Sequence, residues 1–507
     1  MNENERESIR ESDLDTILQE SIPQTPPEDI IHEVTPWRRA MNRVLTGLAL
    51  NAITLNFLAL DYILPAIGLI LILLGFRTLH RENGWFRTCF IITIIRAAYF
   101  FPSLILNATV KQGAVYDLLP SGVLTALSLT LIFMEFVCLW QGFKAVKRKA
   151  GMPAEAGAAA ALMVWYLVIA VLAVMGFRGI VVGIIMIVSY LFVIRGLIKL
   201  SEELDEAGYV IRTAPVRVSD RILAGMIIGI LAVGILCGYL FGGSYPMEWA
   251  ATEHITTDKT QEICAQLIEL GFPAEVLQDL TEKEILACEG ALQVVVDVHD
   301  QPVNDGREVV EQEGNTEYHY TVYDTKELRI TGVAVEIPGE RETWKIFHHF
   351  RWLADPGFYG TECLQLWPAY RNYDGWDQAG DFTGQVLYTK DGQSYAAPYY
   401  SLAIETYTSD SLIWGEQTST DVFAAFSMPR DGENQRGYVA YTIKELTDGC
   451  IVDSWVNYTH QQSTIQYPVL TAVEKRMTDS WNNAGTFFTV QDALQFHPAE
   501  GGAKLLG

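Results

Sequence analysis

The chain has 507 residues, of which 50% are hydrophobic, and its 36 Lys or Arg and 61 Asp or Glu give a net charge of −25. Residues 245–507 hold 16 of the basic and 41 of the acidic side chains, so this segment accounts for the whole net charge. A segment this acidic has no positive surface for nucleic acid, and nucleic-acid binding is therefore excluded.

The first part of the chain predicts a tail followed by a helical membrane bundle. Residues 1–35 are polar and acidic and contain the stretch SIPQTPPED, which predicts a disordered cytoplasmic tail. Residues 36–244 carry seven apolar segments close to the length that crosses about 30 Å of hydrocarbon. The second and sixth are short, and a re-entrant hairpin is the alternative for the first two. The seven segments are residues 44–60, 62–76, 88–106, 121–143, 159–177, 180–194 and 222–241.

Basic residues predict the orientation of this bundle, because short loops rich in Lys and Arg stay on the cytoplasmic side. Alternate loops collect nearly all of the basic residues, and the opposite loops hold only Lys111 and Arg178. The amino terminus is therefore expected inside, and seven crossings place residues 245–507 outside. The expected location is the plasma membrane, with the first span serving as an uncleaved anchor.

Two charged residues fall inside the predicted spans. Arg96 lies nine residues beyond Arg87, and Glu135 lies nine residues before Lys144, on adjacent antiparallel segments. At 1.5 Å per residue both side chains reach about the same depth, ~13 Å, and we expect a buried ion pair. Asn51 reaches the same layer. This polar cluster is either a static salt bridge that sets helix register, or a cavity for a proton or substrate.

The last span contains glycines at four-residue spacing. Gly225 and Gly229 form one set, and Gly234, Gly238 and Gly242 form the other. The two sets lie on opposite faces of a helix, so two close helix contacts are expected. Packing within the chain is the simpler explanation, and a homodimer contact is the alternative. Between the sixth and seventh segments, the stretch IKLSEELDEAG continues the helix of the sixth segment, and Gly208 predicts its end. The glycines of the last span are Gly225, Gly229, Gly234, Gly238 and Gly242.

Residues 245–291 predict a short helical neck. Asp258 is a candidate N-cap for its first helix, and Thr281 with Glu284 has capping-box spacing. Cys264 and Cys288 both lie in this region, and on the outer side they could form a disulfide. Buried free thiols are the alternative for these cysteines.

Residues 292–507 predict an all-β domain, because alternating apolar and polar residues recur in short runs bounded by turn residues. Asp391 and Gly392 have the sequence of a two-residue hairpin turn. An antiparallel sandwich or a jelly roll is the expected fold. In the run ETWKIFHHFRWL, His348 shares the apolar face and is expected inside, whereas His349 and Arg351 are expected to reach solvent.

Aromatic residues mark a candidate ligand site in this domain. Four of them alternate with polar residues in a loop-rich stretch, where exposed rings can stack on a sugar or a cation. Packing on the domain surface is the alternative. The nearby Asp374, Asp377 and Asp381 do not have the spacing of a calcium loop, so no metal or cofactor is expected. The four aromatic residues are Trp367, Tyr370, Tyr373 and Trp376.

Three functions remain open from the sequence. The first is a sensor or scaffold whose outer domain binds a glycan or peptide and whose inner surface uses a cytoplasmic protein partner. The second is a transporter or channel component organised around Arg96 and Glu135. The third is an envelope hydrolase that acts through outer-domain carboxylates, although no GxSxG, Walker A or GxGxxG motif is present, and a protein without enzymatic activity is favoured.

Overall fold

The computed structural model divides the chain into two compact units. The first comprises Met1–Phe101 and Leu119–Ile227, and the second comprises Pro102–Leu118 and Ile228–Gly507. The structure describes residues 35–52, 59–118, 121–175, 179–211, 218–252, 257–313, 316–368, 374–411, 415–464, 466–478, 485–498 and 502–506.

The N-terminal part folds into apolar helices. Six of the described helices are long and apolar enough to cross a membrane, namely all of those given below except α1 and α4. The first predicted span begins in α1 and continues into residues 53–58, which lie outside the described residues, so the seventh span stays a prediction. Residues 1–34 of the predicted tail also lie outside the described residues. The helices are α1 (Pro36–Ala52), α2 (Leu60–Leu79), α3 (Gly84–Leu106), α4 (Gln112–Asp117), α5 (Ser121–Lys149), α6 (Gly157–Val174), α7 (Ile180–Glu206) and α8 (Asp220–Gly242).

The second and sixth predicted spans, which are short in the sequence, belong to longer helices in the structure. Helix α2 has 20 residues and α7 has 27, because polar residues at their ends continue the helical backbone beyond the apolar run. Gly208 follows α7 with a φ of 72°, as expected for a glycine that ends a helix.

Helices α1 and α2 pack with their backbones in contact. A Cβ atom added to Gly68 would lie 2.6 Å from the carbonyl oxygen of Gly47, and one added to Gly75 would lie 2.7 Å from that of Ala40. Small residues at helix contacts allow this close approach and favour dispersion contacts between apolar helices. Gly47, Gly68 and Gly75, which lie outside the glycine pattern of the last span, therefore bring the backbones of α1 and α2 together.

Ion pairs connect the polar ends of helices within the first unit. Asp220, at the start of α8, accepts hydrogen bonds from Arg43 of α1 and, at 3.1 Å, from Arg77 of α2. Lys147 of α5 pairs with Glu203 of α7 at 3.2 Å. These pairs hold basic side chains of three helices against carboxylates of two other helices in the same unit.

The neck consists of three short helices, α9 (Asp258–Glu269), α10 (Ala274–Leu277) and α11 (Glu282–Leu286). Thr257, not Asp258, caps α9, because its hydroxyl accepts the Thr260 N–H while Asp258 is already in the first turn. The capping box of Thr281 is present as predicted.

The predicted disulfide of the neck is not formed, since Cys264 and Cys288 are both free thiols. Cys288 is fully buried in the apolar cluster that joins the neck to the sheet, and this burial raises its pKa to about 12. A thiol kept protonated in an apolar environment behaves as a small hydrophobic side chain and is a poor nucleophile for disulfide formation.

Antiparallel strands form two main sheets and a separate hairpin. The first sheet has the order β1 (Ala250–Ala251), β10 (Gln393–Pro398), β9 (Thr383–Lys390), β13 (Glu433–Glu445), β6 (Thr343–Trp352), β5 (Leu328–Ile337) and β2 (Gln293–Gln301), with β8 (Trp376–Gln378) also paired to β13. The second has the order β11 (Ser401–Ser411), β12 (Gly415–Phe426), β7 (Glu362–Pro368), β14 (Val452–Gln461), β15 (Phe487–His497) and β16 (Lys504–Leu505). The hairpin pairs β3 (Arg307–Glu313) with β4 (Thr316–Val322), and helix α12 (Ala472–Met477) lies between β14 and β15 in the chain.

Both main sheets contribute to one buried apolar cluster. Ile330 and Phe350 enter it from the first sheet, and Leu366 and Val456 enter it from the second. The predicted β-rich domain is thereby confirmed, and the jelly-roll alternative stays a prediction. The hairpin turn between β9 and β10 is also confirmed, because Asp391 and its following glycine both have positive φ.

Candidate functional site

Helices α3 and α5 present matching polar faces to each other. On α3, Cys89, Thr93 and Arg96 follow the spacing that places residues on one side of a helix. The Cys89 thiol lies 3.5 Å from the carbonyl oxygen of Glu135 on α5, and Gly142 makes room there for the Phe86 ring. The small residues therefore set the register that brings the charged side chains together.

Arg96 and Glu135 form an ion pair in this interface. The Nη1 group of Arg96 donates to Oε2 of Glu135, and the Thr93 hydroxyl donates to Oε1 at 2.9 Å. The Glu135 side chain is 1% exposed and that of Arg96 is 9% exposed. Neither charge reaches solvent, so each depends on the other and on Thr93 for its stabilisation.

A cavity of about 150 Å³ lies beside this pair, within the first unit. Tyr99 of α3 and Ser128 of α5 hydrogen-bond to each other across it at 2.9 Å. Asn51 also lines the cavity and donates to the Gly47 carbonyl oxygen at 2.9 Å, so part of its amide serves the α1 backbone. The lining residues are Asn51, Leu69, Arg96, Tyr99, Phe100, Ser128 and Ile132.

The structure thus brings together the three residues that the sequence placed in one layer, and it adds two that the sequence analysis missed. Thr93 and Ser128 lie three and seven residues before the charges on their own helices. That spacing is the signal that could have found them. Threonine and serine also occur in helices bonded only to their own backbone, so the spacing alone is weak.

The glycines of the last helix divide into two sets. In the second unit, a Cβ added to Gly238 would lie 2.9 Å from Ala108, and one added to Gly242 would lie 2.7 Å from Thr109. Gly234 meets Ile105 in the same way. Around Gly225 and Gly229, by contrast, the described residues place nothing within 4 Å, so the expected second helix contact is not made within the described chain.

A segment of the β domain binds the helix ends of the same unit. We call residues 466–474 the docking strap. The Tyr467 hydroxyl donates to the Leu104 carbonyl oxygen at 2.8 Å, and the Val469 N–H donates to the Asn107 carbonyl oxygen at 2.8 Å. The Tyr239 hydroxyl of α8 donates to the Gln466 carbonyl oxygen. One short strap therefore holds the end of α3 and the end of α8.

The β domain anchors the strap at its other end. The Ala472 N–H donates to the Thr361 hydroxyl at 2.9 Å, next to β7. Thr471 and Glu474 form a capping box that starts α12. Ala472 and Val473 of the strap also pack in an apolar cluster with Cys363 and Phe423, so hydrogen bonds and apolar packing together fix this end of the strap.

Two of the four aromatic residues of the predicted ligand site, Trp367 and Trp376, lie within the described residues. Trp367 is half-buried and stacks on Trp455 with ring centroids 6.3 Å apart. Trp376 is fully buried, and its indole N–H donates to the Ile451 carbonyl oxygen at 2.9 Å, so it offers no free face to a ligand. Tyr370 and Tyr373 lie outside the described residues.

Buried histidines show how the neck meets the sheet. His348 lies in the core and contacts the Ser454 hydroxyl at 2.6 Å, as expected, and burial lowers its pKa to about 3. His349 is buried too, against the expectation that it reaches solvent, because the neck covers this face of β6. It contacts Asp279 at 2.9 Å, and Arg436 donates to the same carboxylate at 2.8 Å.

These contacts control the charge state of Asp279. Burial by itself would raise its pKa, but the hydrogen bonds and charges of His349 and Arg436 outweigh that effect and lower it. Asp279 therefore acts as an ionised clamp between neck and sheet. Among the described residues, no group of three or more His, Cys, Asp or Glu is arranged to hold a metal ion.

Comparison of the chain with models of protein families and with curated proteins finds no match.

Proposed function

We propose that this chain is a plasma-membrane protein with seven spans whose outer β sandwich transmits ligand binding to the helix bundle. The asymmetry of basic residues supports the sidedness, with the amino terminus inside. The six apolar helices would supply the membrane part. The first predicted span, which begins in α1, would supply the seventh crossing. The outer domain is acidic, which favours a neutral glycan or a cationic peptide as its ligand.

The docking strap is the observation that carries this proposal. Helix α3 bears Arg96 and, ten residues further on, ends beside Asn107, whose carbonyl oxygen accepts the Val469 N–H of the strap. A shift of the strap would act directly on the end of the helix that holds the buried ion pair. A cytoplasmic partner would then read the change at the inner surface of the bundle.

The coupling is tested by removing the strap's hydroxyl bonds in the full-length protein. Tyr467→Phe with Tyr239→Phe removes both, and Tyr190→Phe is the matched control, because its hydroxyl donates to the Leu48 carbonyl oxygen elsewhere. Labelling rates of Cys89 and Cys138 with a membrane-permeant maleimide report on the α3–α5 interface. We expect the double variant to raise the labelling rates of both thiols several-fold. The control Tyr190→Phe should leave hydrogen exchange at residues 102–112 unchanged. If exchange rises at residues 102–112 while both thiols keep their rates, the strap does not act on the bundle.

Transport is the second candidate, and the cavity beside Arg96 favours it. Glu135→Gln would remove the carboxylate that balances Arg96 and lies next to this cavity. Flux of a solute in proteoliposomes that is lost in this variant, yet retained after removal of the β domain, would favour transport over sensing.

A further inference from the structure

We propose that the cavity beside Arg96 binds a neutral, lipophilic molecule whose ring-sized head carries carbonyl or hydroxyl oxygens. This ligand would reach the site from the bilayer. The inference goes beyond the coupling proposed above and shares with it only the placement of the helices in a membrane.

Arg96 brings unused donors to the cavity. Its guanidinium has five N–H groups, and one of them donates to Glu135. Its Nε is buried and has no hydrogen-bond partner among the described residues. Tyr99, Ser128 and Asn51 add further polar groups to the lining. An oxygen acceptor is therefore the chemical group that the polar side of this cavity selects.

Charge balance requires the ligand to be neutral. Glu135 already compensates the charge of Arg96 within hydrogen-bond distance. An anion would leave one negative charge in a low-dielectric interior, and a cation would lie against the guanidinium. A dipolar oxygen meets the donors of Arg96 without either penalty.

The volume and the apolar lining define the head of the ligand. The cavity measures about 150 Å³, a size at which an apolar cavity binds benzene. Leu69, Phe100 and Ile132 form its apolar side. A single substituted ring fits both the volume and the division into a polar and an apolar side.

Exposed residues at the cavity edge show the route of entry. Tyr99 lines the cavity and is also 39% exposed, and its neighbours Ile95 on α3 and Leu127 on α5 are 46% and 51% exposed. Apolar residues exposed at the middle of membrane helices face lipid. A molecule dissolved in the bilayer can therefore reach the cavity edge without crossing water.

Binding is tested with the full-length protein in lipid nanodiscs, using decylubiquinone as the probe and decylbenzene as a probe without oxygens. A ligand that binds the folded state raises the thermal unfolding midpoint in a concentration-dependent manner. We expect a saturable rise with decylubiquinone and none with decylbenzene. Equal rises with both probes, or no saturable rise with decylubiquinone, would overturn the proposal.

Matched variants locate the site. Ser128→Leu fills the cavity, whereas Thr130→Leu places the same side chain at an exposed position of the same helix. We expect at least tenfold weaker binding in Ser128→Leu and unchanged binding in Thr130→Leu. The double change Arg96→Met with Glu135→Met keeps an apolar interface that can fold and should also weaken binding at least tenfold. Retained binding in the double or cavity-filling variant refutes the site, whereas failure of the strap experiment leaves it intact.

Discussion

Arg96 and Glu135 stabilise each other at a buried position where solvent stabilises neither charge. Removing one partner of a buried pair leaves an uncompensated charge, whereas replacing both by apolar groups of similar size is often neutral. Burial also disfavours a charge on His348, so this side chain is neutral in the core. Both cases lead to measurable effects of single substitutions.

The ion pair predicts an asymmetry between single and double variants. We expect Arg96→Met and Glu135→Met each to lower the free energy of unfolding by about 3–5 kcal/mol. The double variant should recover most of that loss, because no charge remains unpaired. Unfolding by titration with a denaturing detergent measures all three. A double variant less stable than either single variant would contradict this view of the pair.

His348 predicts a loss of β-domain stability in acid. In the unfolded chain a histidine binds a proton near pH 6.5, whereas burial keeps His348 neutral down to about pH 3. Between these values the unfolded state binds the extra proton, so the free energy of unfolding falls as pH falls, by up to about 1.4 kcal/mol per pH unit. Asp279, whose pKa is lowered, adds a loss only below its ordinary value of 3.8.

The effect of His348 is isolated by comparing the wild type with His348→Gln from pH 7 to pH 4. Pulse proteolysis in urea on the full-length protein gives the unfolding midpoint of the β domain. We expect the variant to be less stable at pH 7 and to depend less on pH, while the exposed His319→Gln keeps the wild-type slope. Equal slopes in wild type and His348→Gln would show that another group controls the acid response.

At the scale of elements, glycine position decides which helix contacts are tight. Gly68 has the Gly47 carbonyl oxygen 2.6 Å from where its Cβ would be, and Gly225 has no described atom within 4 Å. The same residue type therefore has different roles in α2 and α8. Strand β6 shows a similar dependence, since one face meets the sheet core and the other meets the neck.

This difference predicts that Gly68→Ala destabilises the protein and Gly225→Ala does not. An added methyl at Gly68 forces the backbones of α1 and α2 apart, and overpacking of this kind typically costs about 1–3 kcal/mol. At Gly225 the methyl enters open space and also favours the helix. The unfolding midpoint in detergent measures both. Equal destabilisation by the two changes would mean that Gly225 also meets a partner helix, as in the homodimer alternative.

At the scale of the whole molecule, the boundary between the two compact units falls inside helix α3. Helix α3 runs without interruption from Gly84 to Leu106 and belongs to both compact units. The acidic β domain and the basic helix ends differ in charge as well as in fold. The difference in charge is the basis of the proposed sidedness.

Sidedness is therefore the prediction that belongs to the whole molecule. A single cysteine at exposed Tyr323 should react with an impermeant maleimide in intact cells, whereas one at exposed Arg148 should react only after permeabilisation. The basic loops predict this order through their preference for the cytoplasm. Labelling of Arg148→Cys in intact cells, with Tyr323→Cys protected, would reverse the topology and remove the basis for an outer ligand.

Features that depend on local pattern follow from the amino-acid sequence alone. Apolar runs predict the membrane-length helices, and alternation predicts strands β4, β5, β6, β12, β13 and β14. Asp391 with Gly392 predicts the turn between β9 and β10. Each of these predictions needs only the periodicity or conformational freedom of nearby residues. Equal spacing from flanking basic residues also placed Arg96 and Glu135 at one depth, since rise per residue is constant in a helix.

Only the tertiary structure decided which surfaces cover one another. It buried His349 under the neck, placed Trp376 in the core, left Cys264 and Cys288 unpaired, and put the strap against the ends of α3 and α8. Each of these outcomes depends on a contact between segments far apart in the chain. A pattern along one segment contains no information about the segment that packs on it, so burial and pairing are settled only when the whole chain is folded.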